Sequence, residues 1–148
     1  MGTDIHCTAE RRNADGKWEI IDIYVELNRN YGLFGWLADL RNYSAIPPLH
    51  PGRGMPADAT HGSLDFHEDN HSATWYLIDE LMSFDYNRTV EDRRVMVQTG
   101  PNSWNGGATA EPGGGEMTTY RDLFGFFRDK VAEMRAAGAE RLIFSFDS

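Results

Sequence analysis

Apolar and polar residues alternate along two neighbouring stretches near the start of the chain. In DIHCTAER, at 4–11, Ile, Cys and Ala alternate with polar residues. In WEIIDIYVEL, at 18–27, every second residue from Ile21 onward is apolar. Such alternation is typical of half-buried strands, and the Asp-Gly between the two stretches favours a tight turn. The pattern therefore predicts a β-hairpin.

The hydrophobic period changes to that of an amphipathic helix in two later regions. Asn30 precedes the first region and is a suitable N-cap. Thr119 and Asp122 open the second region in the manner of a capping box, and Gly138 ends it. The buried stripes are Leu33, Leu37 and Leu40 in the first helix, and Leu123, Phe126, Phe127 and Val131 in the second.

The remaining segments predict further strands and two long irregular stretches. Residues 141–148, RLIFSFDS, form an apolar strand that suits the centre of a sheet, and 89–99 form another strand. Residues 73–84 begin as a strand and end as a short helix. Residues 43–71 contain four prolines, and 99–116 are rich in glycine, so both are expected to be loops.

These elements predict an α+β fold. We expect a mostly antiparallel sheet, helices packed on one face, and long irregular loops. The chain of 148 residues, with 41% hydrophobic and 25% charged residues, is long enough to bury a core. We expect one domain over 1–148.

Charge and composition narrow the classes of partner. The net charge of −9 argues against binding a nucleic-acid duplex, which needs clustered Lys and Arg. The acidity serves either solubility or docking on a basic partner. No apolar run is long enough to span a membrane, the chain does not open like a secretory signal, and Cys7 is the single cysteine. These features predict a cytoplasmic protein.

The string HEDNH, from His67 to His71, fits the zinc-protease pattern H-E-x-x-H. In a helix, the two histidines would share a face, and Glu91 would serve as the third zinc ligand. However, Asp69 and Asn70 favour turns and caps over a helix. We therefore expect HEDNH to be a polar loop leading into a strand.

Several stretches taken together resemble a group of small, uncharacterised proteins of phages and prophages. These are MGTDIH, RNYGLFGWLADLRN, RGMPAD, HSATW and FSFD, in chain order. That group opens with Met-Gly-x-Asp-Ile-His, contains Arg-Asn-Tyr-x-Leu-Phe and Arg-Gly-x-Pro, and ends in an aromatic-Asp strand. His71 and Ser72 match the group's pattern, whereas the segment between Arg41 and Arg53 is shorter here. The resemblance implies phage origin and brings no settled chemistry.

One set of polar residues is a candidate catalytic centre. Asp4 and His6 project from the same side of the first strand, because alternate residues share a side. If the terminal strands pair, Asp147 lies near them, and His71 completes the set. Such a cluster would suit either a divalent metal or acid-base chemistry. Its ordinary alternative is a group of hydrogen-bonded strand residues.

A second set of residues is a candidate ligand site. Arg29, Arg41 and Arg53 flank the first helix and the long loop, where they would hold a phosphate group. Tyr31, Trp36 and Trp75 would offer a stacking surface for a base, and Ser72 joins them through the matching His-Ser pair. Two alternatives remain open: Arg53 braces its own loop, and the aromatic residues, Trp36 included, form the core.

We expect a small phage accessory protein that counters a host defence system. It would bind a host protein or a phosphorylated, nucleotide-like signalling molecule in the host cytoplasm. The first alternative is a metal-dependent hydrolase that uses the Asp/His cluster, with the zinc peptidase as its weaker form. The second alternative is a minor virion or assembly component.

Overall fold

The computed structural model describes residues 2–148, and the chain folds into two compact units. The sheet unit contains the chain up to Arg29 together with Gly52–Phe84 and Phe126–Ser148. The hairpin unit contains Asn30–Pro51 and Asp85–Gly125. The elements in chain order are β1 (Asp4–Arg12), β2 (Trp18–Ile21), α1 (Tyr31–Ala38), α2 (His61–His67), β3 (His71–Leu77), α3 (Ile78–Met82), β4 (Thr89–Asp92), β5 (Arg94–Gly100), β6 (Ser103–Thr109), β7 (Glu116–Thr119), α4 (Tyr120–Ala136) and β8 (Arg141–Asp147).

The sheet unit is built on a four-stranded antiparallel sheet with one polar and one apolar face. The strand order is β2-β1-β8-β3, so the final strand is central, as its apolar sequence predicts. Residues opposite each other in register share a face. The polar pairs are Asp4–Asp147, His6–Ser145 and Glu10–Arg141, and the apolar pairs are Ile5–Phe146, Cys7–Phe144 and Ala9–Leu142.

Helices cover both faces of this sheet, so the prediction of helices on one face is wrong. On the apolar face, the ring of Phe127 in α4 lies 5.9 Å from that of Phe144. On the polar face, α2 contributes the buried residues Ser63 and His67, which hydrogen-bond to Thr8 of β1. The polar face is therefore enclosed beneath α2, and its polar groups need partners there.

The hairpin unit has an aromatic core and two small sheets, β4-β7 and β5-β6. The ring of Trp36 in α1 lies 5.7 Å from that of Tyr86 and 5.2 Å from that of Phe124. Trp36 is 1% exposed. It is a core residue and offers no surface for stacking a base.

Most of the predicted elements are confirmed, and so is the α+β class. The β1–β2 hairpin forms around the Asp-Gly turn. Asn30 caps α1 by accepting a hydrogen bond from the Leu33 amide, and Thr119 accepts one from the Asp122 amide at the start of α4. Gly138 takes a φ of +101° just after α4 ends. One domain over 1–148 remains a prediction.

Four predicted stretches differ in the structure. The irregular 43–71 segment contains α2, which Thr60 caps through the Ser63 amide. The predicted 99–116 loop contains β6, and the predicted 89–99 strand is two strands, β4 and β5, with different partners. The second strand of the first hairpin ends at Ile21 instead of 27, where the Ile23 amide bonds the Ile21 carbonyl. None of the described helices is both long enough and apolar enough to cross a membrane.

Candidate functional site

Three of the four predicted catalytic residues meet on the polar face of the sheet. His6 Nε2 lies 3.1 Å from Asp147 Oδ2. The two atoms are close, but their geometry is not that of a hydrogen bond, and the buried His6 Nε2 has no hydrogen-bond partner among the described residues. Asp4 stands opposite Asp147 and accepts a 3.0 Å hydrogen bond from Arg29 Nε. Arg29 therefore neutralises a carboxylate and is not placed as a phosphate ligand.

His71 does not join this group. It stands opposite Phe146, on the apolar side of the register. Its Nε2 lies 3.1 Å from the hydroxyl of Ser148, which is also bonded to Thr3. In residues 2–148, no group of three or more His, Cys, Asp or Glu side chains is arranged to hold a metal ion. The predicted four-residue cluster does not form.

HEDNH lacks the geometry of a zinc-peptidase motif. His67 is the last residue of α2, while His71 begins β3, so the two rings do not share a helical face. Both nitrogens of His67 are occupied, Nε2 by Thr8 at 2.9 Å and Nδ1 by Ser145. Glu91 accepts hydrogen bonds from the Gly113 and Gly115 amides. The string is the end of a helix, a turn and the start of a strand.

A buried ion pair lies at the other end of the polar face. Arg141 is 3% exposed and donates two hydrogen bonds, of 2.8 and 2.6 Å, to Oε1 of the fully buried Glu10. It also donates to Asp58 at 2.6 Å, and its guanidinium lies 4.0 Å from the ring centre of Trp18. Burial alone would raise the pKa of Glu10, but bonds from Thr60, Arg141 and Ser63 outweigh it and hold that pKa below its usual value.

A chain of hydroxyl groups and one histidine extends from this ion pair. Glu10 Oε2 accepts from Ser63, Ser63 bonds Thr8 at 3.0 Å, Thr8 bonds His67, and His67 bonds Ser145. Burial, the largest cause, and the nearby His6 ring together lower the pKa of His67 to about 4, against an opposing effect of Glu10. His67 is therefore neutral at physiological pH.

This network satisfies buried polar groups and has no open reaction centre. Ser145 and Ser63 are 0% exposed, so a substrate cannot reach either hydroxyl in this conformation. If Ser145 were a nucleophile, His67 would be its base, and a third group bonded to the opposite ring nitrogen would have to stabilise the charged histidine. That nitrogen, Nε2, bonds the Thr8 hydroxyl instead. The residues therefore hold α2 on the sheet. Burial raises the pKa of the Cys7 thiol, which disfavours the nucleophilic thiolate form.

The predicted ligand residues of the sheet unit are also engaged with their neighbours. Arg53 donates to both carboxylate oxygens of Glu80, at 2.7 and 2.6 Å, and to the Trp75 carbonyl at 3.2 Å. Its guanidinium lies 4.7 Å from the Trp75 ring centre. Ser72 sits at a strand irregularity with a φ of +56° and bonds the neighbouring His71. Arg53 braces its loop, and Trp75 stacks on Arg53.

In the hairpin unit, two predicted ligand residues come together with two that were not predicted. The rings of Tyr31 and Tyr43 lie 6.0 Å apart. The guanidinium of Arg94 lies 5.4 Å from the Tyr31 ring centre and 5.5 Å from that of Tyr43. Arg41 lies 5.9 Å from the Tyr31 ring centre and donates to the Tyr43 hydroxyl at 3.1 Å. We call these four residues the arginine–tyrosine cluster.

The loop that carries Arg41 and Tyr43 is held in an unusual backbone conformation. Asp39, Arg41 and Ala45 all have φ between 50° and 53°, a region that costs energy for residues other than glycine. Asn42 fixes the loop by donating to Asp39 and the Ile46 carbonyl and accepting from the Ile46 amide. The loop is thus set by its own hydrogen bonds, which fixes the direction of the Arg41 side chain.

The sequence contains a signal for this cluster. The triplet Arg-Asn-Tyr occurs twice, at 29–31 and at 41–43. Both asparagines organise the backbone, at the start of α1 and in the strained loop, and both tyrosines join the cluster. Arg94 has no comparable signal, because only the folding of β5 brings it to the tyrosines.

No protein-family model, no curated protein and no solved structure matches this chain.

Proposed function

We propose that this protein is a small phage accessory protein that binds a phosphorylated, nucleotide-like molecule through the arginine–tyrosine cluster. It would act in the host cytoplasm, against a defence system that uses such a molecule as a signal. The phage origin and the role in counter-defence rest on the resemblance of its motifs. The observation that carries the ligand class is the placement of two guanidinium groups over the same tyrosine ring.

The charge and exposure of the cluster support an anionic ligand. Arg94 is exposed, and among residues 2–148 no carboxylate forms an ion pair with it. Its Nε donates to the Gly106 carbonyl, which fixes the guanidinium over the rings. A guanidinium presents several N–H donors in one plane and matches the oxygens of a phosphate group. The charge of this group is opposite in sign to the net charge of the chain, which is −9.

The tyrosines support a ligand that carries an aromatic base. Tyr31 and Tyr43 are both half-buried, so part of each ring remains in contact with solvent. An aromatic ring next to a phosphate-binding arginine is a common way to hold a nucleobase by stacking. The combination favours a nucleotide over free phosphate.

The test is a calorimetric titration with nucleoside mono-, di- and triphosphates, cyclic mono- and dinucleotides, and inorganic phosphate. We expect at least one nucleotide to bind more tightly than phosphate. Arg94→Gln and Arg41→Gln should each weaken that binding by at least about tenfold, because each removes charge-assisted hydrogen bonds.

Arg128→Gln is the matched control, because it makes the same change on α4, outside the cluster. It should leave the affinity unchanged. Tyr43→Leu should reduce the preference for nucleotides over phosphate, because stacking is lost while both guanidinium groups remain. Binding that survives in the Arg41/Arg94 double variant, or no nucleotide binding by the wild-type protein, would refute the proposed site.

A further inference from the structure

The sheet unit contains a cavity of about 620 Å³ beside the first strand. Consecutive residues line it on two sides, Asp4–Thr8 of β1 and Ile20–Leu27 after it, with Phe66 of α2 completing the wall. Side chains on one face of a strand would line a cavity at alternate positions only. Because every residue of these two stretches lines the cavity, the cavity lies at the edge of β1 and not over one face of the sheet.

Within residues 2–148, no strand pairs with the edge of β1 that borders the cavity. β2 pairs with β1 only from Ala9 to Arg12, while β8 pairs with it from Asp4 to Glu10. In an antiparallel strand, the N–H and C=O groups of alternate residues point to opposite edges. The Glu10 carbonyl accepts from Glu140, on the β8 side. Ile5 and Cys7 lie an odd number of residues from Glu10, so their backbone groups point to the opposite edge, beside the cavity.

The segment that faces this edge, 22–28, has the side-chain pattern of a strand but pairs with no strand in the described part of the chain. Its residues alternate between half-buried and exposed from Ile21 to Leu27. Both of its ends are tied to β1, by the pairing of Ile21 with Ala9 and by the ion pair between Arg29 and Asp4, at 2.9 Å. Eight residue steps separate Ile21 from Arg29, whereas five separate Asp4 from Ala9. The longer segment must bow outward, which leaves the gap.

The cavity is acidic and its walls alternate in polarity. Its lining contains Asp22 and Glu26, together with Asp4, which is paired with Arg29, and no described lysine or arginine lines it. Asp22, Tyr24 and Glu26 are exposed on one side of the bowed segment, while Ile23 and Val25 are half-buried on the other. A strand inserted here would place basic side chains near the carboxylates and apolar ones near the isoleucine and valine.

We propose that this cavity binds an extended peptide segment of a partner protein, with basic and apolar residues in alternation, as an added strand on β1. The Ile5 and Cys7 backbone groups supply the hydrogen bonds, and the alternating wall selects the side chains. This surface is separate from the arginine–tyrosine cluster in residues and in ligand charge, so either proposal can fail without the other.

The first experiment measures the amide protons of Ile5 and Cys7 by nuclear magnetic resonance. In the free protein they should exchange fast with solvent, and a hexapeptide alternating lysine and valine should slow their exchange. The same peptide with N-methyl groups on every second residue should lose at least about tenfold in affinity, because one edge can no longer form hydrogen bonds. Slow exchange of both amides in the dilute free protein would show that the edge is already paired, and the proposal would be wrong.

A test of charge dependence separates specific binding at this site from non-specific peptide binding. A peptide alternating glutamate and valine should bind at least about tenfold more weakly than the lysine peptide, and the Asp22→Lys/Glu26→Lys double variant should reverse that order. Asp129→Lys, an exposed position on α4 outside the lining, should leave the order unchanged. Equal binding of both peptides would overturn the assignment, and protection that grows with protein concentration would show a second copy as the occupant.

Discussion

The sheet unit and the hairpin unit hold their arginines in opposite ways. In the sheet unit, Arg141 lies between Glu10 and Asp58, and Arg53 makes two bonds to Glu80. In the hairpin unit, Arg41 and Arg94 lie over tyrosine rings at the surface. All four arginines lie near aromatic rings, so the carboxylates make the difference. An arginine bonded to carboxylates stabilises the fold, whereas Arg94, which forms no ion pair within residues 2–148, keeps donors for a ligand.

Substitutions at Arg141 should have the largest effect on stability. Removing one partner of a buried ion pair leaves an uncompensated charge, and Glu10 is 0% exposed. We expect Arg141→Gln to lower the free energy of unfolding by about 3–5 kcal/mol. Urea denaturation measures the change, with Arg128→Gln as the control. A loss of unfolding free energy no larger than that of the control would contradict the distinction between arginines bonded to carboxylates and arginines available to a ligand.

The next largest effect is the pH dependence that His67 introduces. Its pKa falls from 6.5 to about 4 on folding, so between these values the unfolded chain binds more protons than the folded one. Stability is therefore full above pH 6.5 and falls as the pH drops towards 4, by about 3 kcal/mol in total. Below pH 4.5, protonation of Glu10, whose pKa is also lowered on folding, adds to the loss.

The two histidines of HEDNH provide a variant and its control. His67→Gln should flatten the stability profile between pH 6.5 and 4.5, where Glu10 contributes little. His71→Gln should not flatten it, because His71 lies outside the buried network. Chemical denaturation at a series of pH values measures both, and a profile that follows His71 instead would contradict the structural role of His67.

Arg53→Ala should have an intermediate effect. It removes two charge-assisted hydrogen bonds to Glu80 and the stacking on Trp75, which together contribute about 1–3 kcal/mol. Thermal and urea denaturation measure the loss. The variant should bind any nucleotide ligand as the wild type does. Lost binding with unchanged stability would restore Arg53 as a ligand residue.

The smallest effect concerns metal. HEDNH does not bring its histidines together, so adding zinc, or removing metal with a chelator, should leave Tm unchanged. Scanning calorimetry with and without stoichiometric zinc measures this. A rise in Tm that disappears in both His67→Gln and His71→Gln would revive the metal site.

Local patterns in the sequence predict most of the helices and strands of the fold. Alternation, the Asp-Gly turn and the caps at Asn30 and Thr119 depend on near neighbours, and the structure confirms them. The glycine-rich stretch was predicted as a loop because glycine weakens strands, yet β6 forms by pairing with β5. The length mismatch that ends β2 at Ile21 depends on a distant tie between Arg29 and Asp4.

The site was harder to predict, because the bonding of a side chain depends on residues far along the chain. Asp4, His6 and Asp147 were placed on one face correctly, since strand parity fixes their side. His71 was not, because an irregularity after it shifts the register of β3. For Arg53 the bracing alternative holds, and the sequence contained no sign that Glu80 would be its partner.

The most direct test of the contrast between the two units is a spectrum of the arginine side-chain Nε–H groups during a titration with inorganic pyrophosphate. We predict that the signals of Arg41 and Arg94 shift together and saturate, while those of Arg53 and Arg141 stay in place. Shifts at Arg53 or Arg141, or none at Arg41 and Arg94, would contradict the account.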